Sequence, residues 1–153
     1  PLHPQRFDAI AQLLTRRGIP YQRRSTHWPT VNADTQVVLG DSMVEMFAYC
    51  ACCDLAFIGG SLLPFGGQNL IEPLAVGRPV LIGPHTYNFS EITEQAVAVG
   101  AAIRVADSRE LARELSRLLA DRGAAAIMAG RAREFAAEHQ GSTQRVLDVL
   151  GVG

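Results

Sequence analysis

Between Asp54 and Glu72 the chain reads Asp-Leu-Ala-Phe-Ile-Gly-Gly-Ser-Leu-Leu-Pro-Phe-Gly-Gly-Gln-Asn-Leu-Ile-Glu: an apolar strand, two glycine pairs, then a helix start carrying a carboxylate. Such a segment can cradle a phosphate-bearing ligand. Gly59 and Gly60 let backbone come close to a ligand, Gly66 and Gly67 permit a turn with positive φ, and a helix opening near Gln68 presents N–H donors to an anion. Glu72, about one turn into that helix, can accept hydrogen bonds from a sugar's vicinal hydroxyls. Paired glycines also make plain tight turns, and an acid in a first helical turn complements the helix dipole without any ligand. Two pairs in such close succession, bracketing Ser61 and followed by Asn69 and Glu72, favour the ligand site.

A second loop, Gly83-Pro84-His85-Thr86-Tyr87-Asn88-Phe89, gathers polar side chains ahead of a helix expected to be capped by Ser90. It can offer donors to a carboxylate or phosphate, although His85 and Asn88 could equally satisfy loop backbone. His3 and Arg6 make a possible anion contact near the start of the chain. Other chemistries fit poorly. Ser61 is not in a Gly-x-Ser-x-Gly elbow, so no nucleophilic triad with His85 is indicated. His3, His27, His85 and His139 are scattered singly without metal-ligand spacing, and the glycines do not follow the Gly-x-Gly-x-x-Gly dinucleotide pattern. Cys50, Cys52 and Cys53 are too crowded for a disulfide framework and read as small buried residues of a reduced, cytoplasmic protein.

The elements that must position these loops alternate along the chain. Helices are expected at 5–17, 43–53, 70–76, 90–99, 107–120, 123–139 and 142–150, the sixth and seventh separated near Gly141. Short apolar or β-branched strands are expected at 19–24, 35–39, 54–58, 79–82 and 101–105, with 25–34 as a loop. This alternation predicts a doubly wound α/β domain built on a parallel sheet, whose ligands sit at the carboxyl ends of the strands. The loops leaving those ends are Gly40-Asp41-Ser42, Gly59-Gly60-Ser61 and Gly83-Pro84-His85, so one crevice lined by three glycine-bearing loops is expected.

At 153 residues, 48% apolar and 19% charged, the chain has the size and composition of one globular domain. Its apolar runs are too short to span a bilayer, and a net charge of −1 supplies no general attraction to nucleic acid. Arg16, Arg17, Arg23 and Arg24 form a local basic cluster that reads as a solvated face. The chain opens on Pro1 and is expected to be a piece of a longer protein.

Five motifs in order, His3-Pro-x-Arg-Phe7, Gly40-Asp-Ser-Met-x-Glu-Met46, Phe57-Ile-Gly-Gly-Ser-Leu62, Gly66-Gly-Gln-Asn-Leu-Ile-Glu-Pro73 and Gly83-Pro-His-Thr-Tyr-Asn-Phe89, resemble the C-terminal half of bacterial 3-deoxy-D-manno-octulosonic acid (Kdo) transferases. The resemblance covers nearly the whole chain. It implies the C-terminal, Rossmann-like half of a two-domain GT-B fold, with residues 1–153 as a single donor-binding domain and the acceptor site and catalytic carboxylate on an N-terminal domain outside this sequence. The implied donor is CMP-Kdo and the acceptor a lipid A precursor, at the cytoplasmic side of the bacterial inner membrane, with membrane contact only through the other half. Gly40, Ser42 and Met43 would lie near the cytosine, Glu72 would hold the ribose, and Gly60, Ser61, Gly67 and Asn69 would surround the phosphate and sugar acid. Gly83, Pro84, His85, Thr86 and Asn88 would close the crevice, with His3 at its edge. Two departures stand out: Leu2 replaces the family's usual Arg, and Gln68 its more common His. The implied reaction is inverting transfer without metal or cofactor, and the chain alone is expected to bind donor weakly and turn over nothing. Half of a UDP-sugar GT-B enzyme, or a non-catalytic interaction module, are the alternatives.

Overall fold

The computed structural model describes residues 6–27, 30–41 and 45–149, His27 and residues 140–149 by backbone alone. Two compact units divide the chain, Pro1–Glu45 and Met46–Gly153.

In the first unit, α1 (Phe7–Arg16) buries Phe7 and Ala11, four residues apart on one helical face, and ends at Gly18, whose φ is 64°. The chain then forms β1 (Tyr21–Arg23), paired in parallel with β2 (Val37–Leu39) in the register Tyr21↔Val37 to Arg23↔Leu39. Buried Gln22 anchors the intervening loop, its Oε1 accepting from the Asn32 N–H at 2.7 Å and the Thr35 hydroxyl at 2.6 Å. The expected loop at 25–34 is corrected at its start, where α2 (Arg24–His27) forms a single helical turn. Its stabilising group is remote in sequence: Asp41 accepts from the Ser25 N–H at 2.8 Å and the Ser25 hydroxyl at 2.7 Å, a cap that local reading could not supply.

The second unit carries the sheet that places most of the candidate residues. Strands β3 (Ala56–Ile58), β4 (Val80–Ile82) and β5 (Ala102–Arg104) are all parallel and lie in that order. Val80, Leu81 and Ile82 of the central strand are wholly buried. Alternation sends them to opposite faces. Val80 and Ile82 pack with Leu70 and Leu74 beside α4 (Ile71–Ala75), Ala96 of α5 (Ser90–Ala98), and Ala132, Phe135 and Ala136 of α7 (Arg122–Val149). Leu81 packs with Val105, Leu118 of α6 (Ser108–Ala120) and Met128 of α7. Burial of each of the larger of these side chains, Val, Leu, Ile, Phe and Met, contributes about 1.5–3 kcal/mol, and covering both faces makes the sheet doubly wound. Strand β3 is preceded by α3 (Met46–Cys52), whose last carbonyls at Cys50 and Ala51 accept from the Arg78 guanidinium.

Three local expectations are corrected. Residues 123–150 were expected as two helices, but α7 is one, because a lone glycine costs a helix only about 1 kcal/mol relative to alanine. Ser90 is the first residue of α5 rather than its cap; Phe89 holds that position and no side chain bonds there, whereas α6, which either Asp107 or Ser108 could have capped, is capped by Asp107, accepting from the Glu110 N–H at 2.8 Å. Cysteine burial is uneven: all three thiols are free, Cys50 is buried, Cys53 is half-buried and Cys52 is exposed.

Candidate functional site

The loops that leave β3 and β4 cross each other at the carboxyl end of the sheet. Ser61, fully buried, is the pin: its Oγ donates to the Ile58 carbonyl at 2.5 Å and accepts from the Gly83 N–H at 2.8 Å, while its own carbonyl accepts from the His85 N–H at 2.9 Å. The crossing leaves no room for a side chain, since a Cβ on Gly83 would stand 2.3 Å from the Ser61 carbonyl oxygen. Further along, the Gly67 N–H donates to the Gly60 carbonyl at 3.0 Å and the Asn88 N–H to the Gly66 carbonyl at 3.2 Å. Gly66 has φ of 86°, which calls for glycine, and a Cβ there would also displace the Asn88 amide, 2.3 Å away. Tyr87 Oη reaches the Pro64 carbonyl at 2.8 Å and Asn88 Nδ2 the Phe65 carbonyl at 3.4 Å, tying the outer parts of the two loops.

Gly60, Ser61, Gly67, Gly83, Pro84, His85, Thr86 and Asn88 are thereby brought into one knitted rim. Several have structural duties there. The Ser61 hydroxyl is committed to the crossing, and Asn69 Oδ1 accepts from the Ile71 N–H at 3.0 Å, capping α4. The expected anion site at a helix start near Gln68 needs correction, because α4 begins at Ile71, spans five residues, and has that N–H already taken. Gly40 follows β2 in the first unit, while His3, Ser42 and Met43 lie outside the described residues.

Glu72 differs from its neighbours. It is half-buried in the first turn of α4, and no described residue gives its carboxylate a hydrogen bond or ion pair. Its charge is felt nearby: burial, then Cys53, then the Glu72 carboxylate push the Cys50 thiol above its ordinary range. A cavity of about 520 Å³ opens along Tyr87, Asn88, Phe89, Ser90, Glu91, Ile92, Gln95 and His139. That size lies in the range of about 300–1,000 Å³ usual for small-molecule sites. Among the described residues no group of three His, Cys, Asp or Glu side chains is placed to hold a metal ion, and no helix is long and apolar enough to cross a membrane.

Residue-by-residue reading missed Arg104. It ends β5, and its guanidinium reaches Pro84, Thr86 and Glu94. The signal was available: a single cation closing an otherwise apolar strand, at the sheet end where ligands bind.

A parallel, doubly wound sheet with glycine loops at its carboxyl rim is here the C-terminal half of a GT-B fold, the architecture of a large class of glycosyltransferases. Comparison carries this to a family. The chain superposes with a TM-score of 0.84 and 31% identity on the C-terminal CMP-Kdo binding domain of WaaA from Acinetobacter baumannii, over 88% of this chain and 70% of that one. It is 44% identical over 150 residues to a 3-deoxy-D-manno-octulosonic acid transferase of Bordetella pertussis and 40% identical over 151 residues to that of Haemophilus influenzae, in each case over 98% of this chain. The chain belongs to the 3-deoxy-D-manno-octulosonic acid transferase family. It spans 35% of the length of these two curated relatives. No family model matches it.

Proposed function

We propose that this chain is the donor-binding domain of a Kdo transferase and that its rim holds CMP-Kdo. The observation that carries this is Glu72: a half-buried carboxylate with no hydrogen bond or ion pair from any described residue, following glycine loops at the carboxyl edge of a parallel sheet. A carboxylate accepts only, and a ribose offers two adjacent hydroxyl donors, so the two match. The solved C-terminal domain of the Acinetobacter protein, described as CMP-Kdo binding, supports the same donor.

In this proposal residues 1–153 act as one donor-binding domain. Gly40, Ser42 and Met43 serve the base, Gly60, Ser61, Gly67 and Asn69 the phosphate and sugar acid, Gly83, Pro84, His85, Thr86 and Asn88 the closing edge, and His3 the margin. With buried Ser61 Oγ bonded to Ile58 and exposed Asn69 Oδ1 bonded to the Ile71 N–H, their contribution is to shape the backbone around the ligand. CMP departs from the anomeric carbon of Kdo as a hydroxyl of a lipid A precursor attacks the opposite face, and backbone donors stabilise the charge gathering on the leaving phosphate. The acceptor and the general base belong to a separate N-terminal domain, which meets the cytoplasmic face of the inner membrane.

Calorimetric titration of CMP, UMP and CMP-Kdo against the wild type and Glu72→Ala tests the proposal. Cytidine nucleotides should bind in preference to UMP, and the substitution should weaken them by about 1–3 kcal/mol through lost buried hydrogen bonds. Equal affinity of both proteins would remove Glu72 from the site; equal binding of CMP and UMP would favour a UDP-sugar enzyme, and no binding at all an interaction module.

A further inference from the structure

The loop from Gly83 to Phe89 is held from two directions. On the β3 side the inner ties are backbone donors, His85 N–H to the Ser61 carbonyl at 2.9 Å and Asn88 N–H to the Gly66 carbonyl at 3.2 Å, and the outer ties are the Tyr87 hydroxyl and the Asn88 amide on the Pro64 and Phe65 carbonyls. On the β5 side the tie is a side chain. Arg104 pairs in register with Ile82, the residue before Gly83, so its guanidinium emerges beside the base of the loop. One terminal nitrogen, Nη1, donates to the Pro84 carbonyl and to Thr86 Oγ1, both at 3.4 Å, while Nη2 donates to Glu94 Oε1 of α5 at 2.5 Å.

This arrangement suits arginine best. Its planar fork directs one nitrogen to the two loop oxygens and another to the carboxylate, where lysine would bring a single nitrogen. Thr86 is 5% exposed, so its hydroxyl needs a partner, and Arg104 provides it. Glu94 is the opposite case: at 67% side-chain exposure its ion pair contributes little to folding. Its effect is to fix where the guanidinium points. The cluster therefore acts on loop conformation rather than on global stability.

We propose that Arg104 is a positioning residue of the donor site, setting the conformation of the 83–89 loop through Pro84 and Thr86, with Glu94 orienting its guanidinium. The proposal rests on the nucleotide-sugar role of that loop, which carries five of the assigned contacts and also walls the 520 Å³ cavity through Tyr87, Asn88 and Phe89. Arg104 itself need not touch the ligand.

The test compares wild type with Arg104→Ala, Arg104→Lys and Glu94→Gln by amide hydrogen exchange without ligand and by CMP and CMP-Kdo calorimetry. Arg104→Ala should speed exchange at His85 and Asn88 about 10-fold by freeing the loop, while leaving the Val105 amide, bonded to the Ile82 carbonyl at 2.8 Å, as slow as before. Affinity for CMP-Kdo should fall about 10-fold in parallel, because the contacts are no longer pre-arranged. Arg104→Lys should fall between, and Glu94→Gln should give a smaller loss of the same kind. Unchanged exchange and affinity in Arg104→Ala would overturn the proposal. Lost affinity with unchanged exchange would overturn it differently, making Arg104 a direct ligand contact. Should wild type bind neither nucleotide, the donor-site reading itself fails, while ligand-free exchange still decides whether Arg104 holds the loop. If the alanine variant does not fold, the lysine variant carries the comparison.

Discussion

Replacing Gly83 with alanine would drive a methyl group to 2.3 Å from the Ser61 carbonyl oxygen, 2.4 Å from its carbon and 2.6 Å from the Leu62 nitrogen. All three are backbone atoms, so no side chain can swing aside. Ordinary contacts of carbon lie near 3.5–4.0 Å, and the missing separation of about 1 Å must come from moving one loop off the other. That motion strains the hydrogen bonds from Gly83 N–H to Ser61 Oγ and from His85 N–H to the Ser61 carbonyl. Overpacking costs about 1–3 kcal/mol and a buried hydrogen bond about 1 kcal/mol, so a loss of about 3 kcal/mol is expected. Gly59 supplies the control, being exposed and having no atom within 4 Å of an added Cβ; Gly59→Ala should change stability by less than about 0.5 kcal/mol. Urea unfolding of both variants beside wild type measures the contrast. Coincident midpoints for Gly83→Ala and Gly59→Ala would refute the crossing of the β3 and β4 loops.

Acid sensitivity of the first unit should run through Asp41, whose side chain is only 4% exposed. Burial pushes its carboxyl up, but the Ser25 hydroxyl and N–H and the Arg23 guanidinium outweigh this and hold it below its ordinary value. A depressed native pKa stabilises fully above the unfolded value of about 3.9 and loses that contribution as pH falls through the native one. Asp41→Asn should flatten this part of a stability-versus-pH curve, and parallel curves for the two proteins would contradict it. Thiol chemistry should follow burial: Cys50 and Cys53 are both pushed up, chiefly by burial, so alkylation should reach exposed Cys52 first and Cys50 last. Peptide mass spectrometry along a time course reads the order, and equal rates at Cys50 and Cys52 would contradict it.

Local patterning disclosed every strand and the types of most helices, with ends a residue or a few off. Gly18, Gly77 and Gly100 follow α1, α4 and α5 with φ of 64°, 69° and 70°, as helix stops should. Asp107 caps α6 because its bond to Glu110 spans three residues and needs no tertiary partner. The errors share a cause. The turn at Arg24–His27 depends on Asp41, sixteen residues away, and whether α7 stops at Gly141 depends on the length of helix on either side, which outweighs the cost of one glycine.

The glycine pairs, the strand–loop–helix order and the carboxylate at Glu72 are facts of short range, set by backbone freedom and residue chemistry within a few positions, and these the chain declared by itself. Which loops touch was decided only in three dimensions. Ser61 meets Gly83 across 22 residues, Arg104 meets Thr86 across 18, and the Glu72 carboxylate is bonded by no described residue. Strand register sets those meetings, since a parallel sheet aligns Ile58, Ile82 and Arg104 at one edge whatever their separation along the chain.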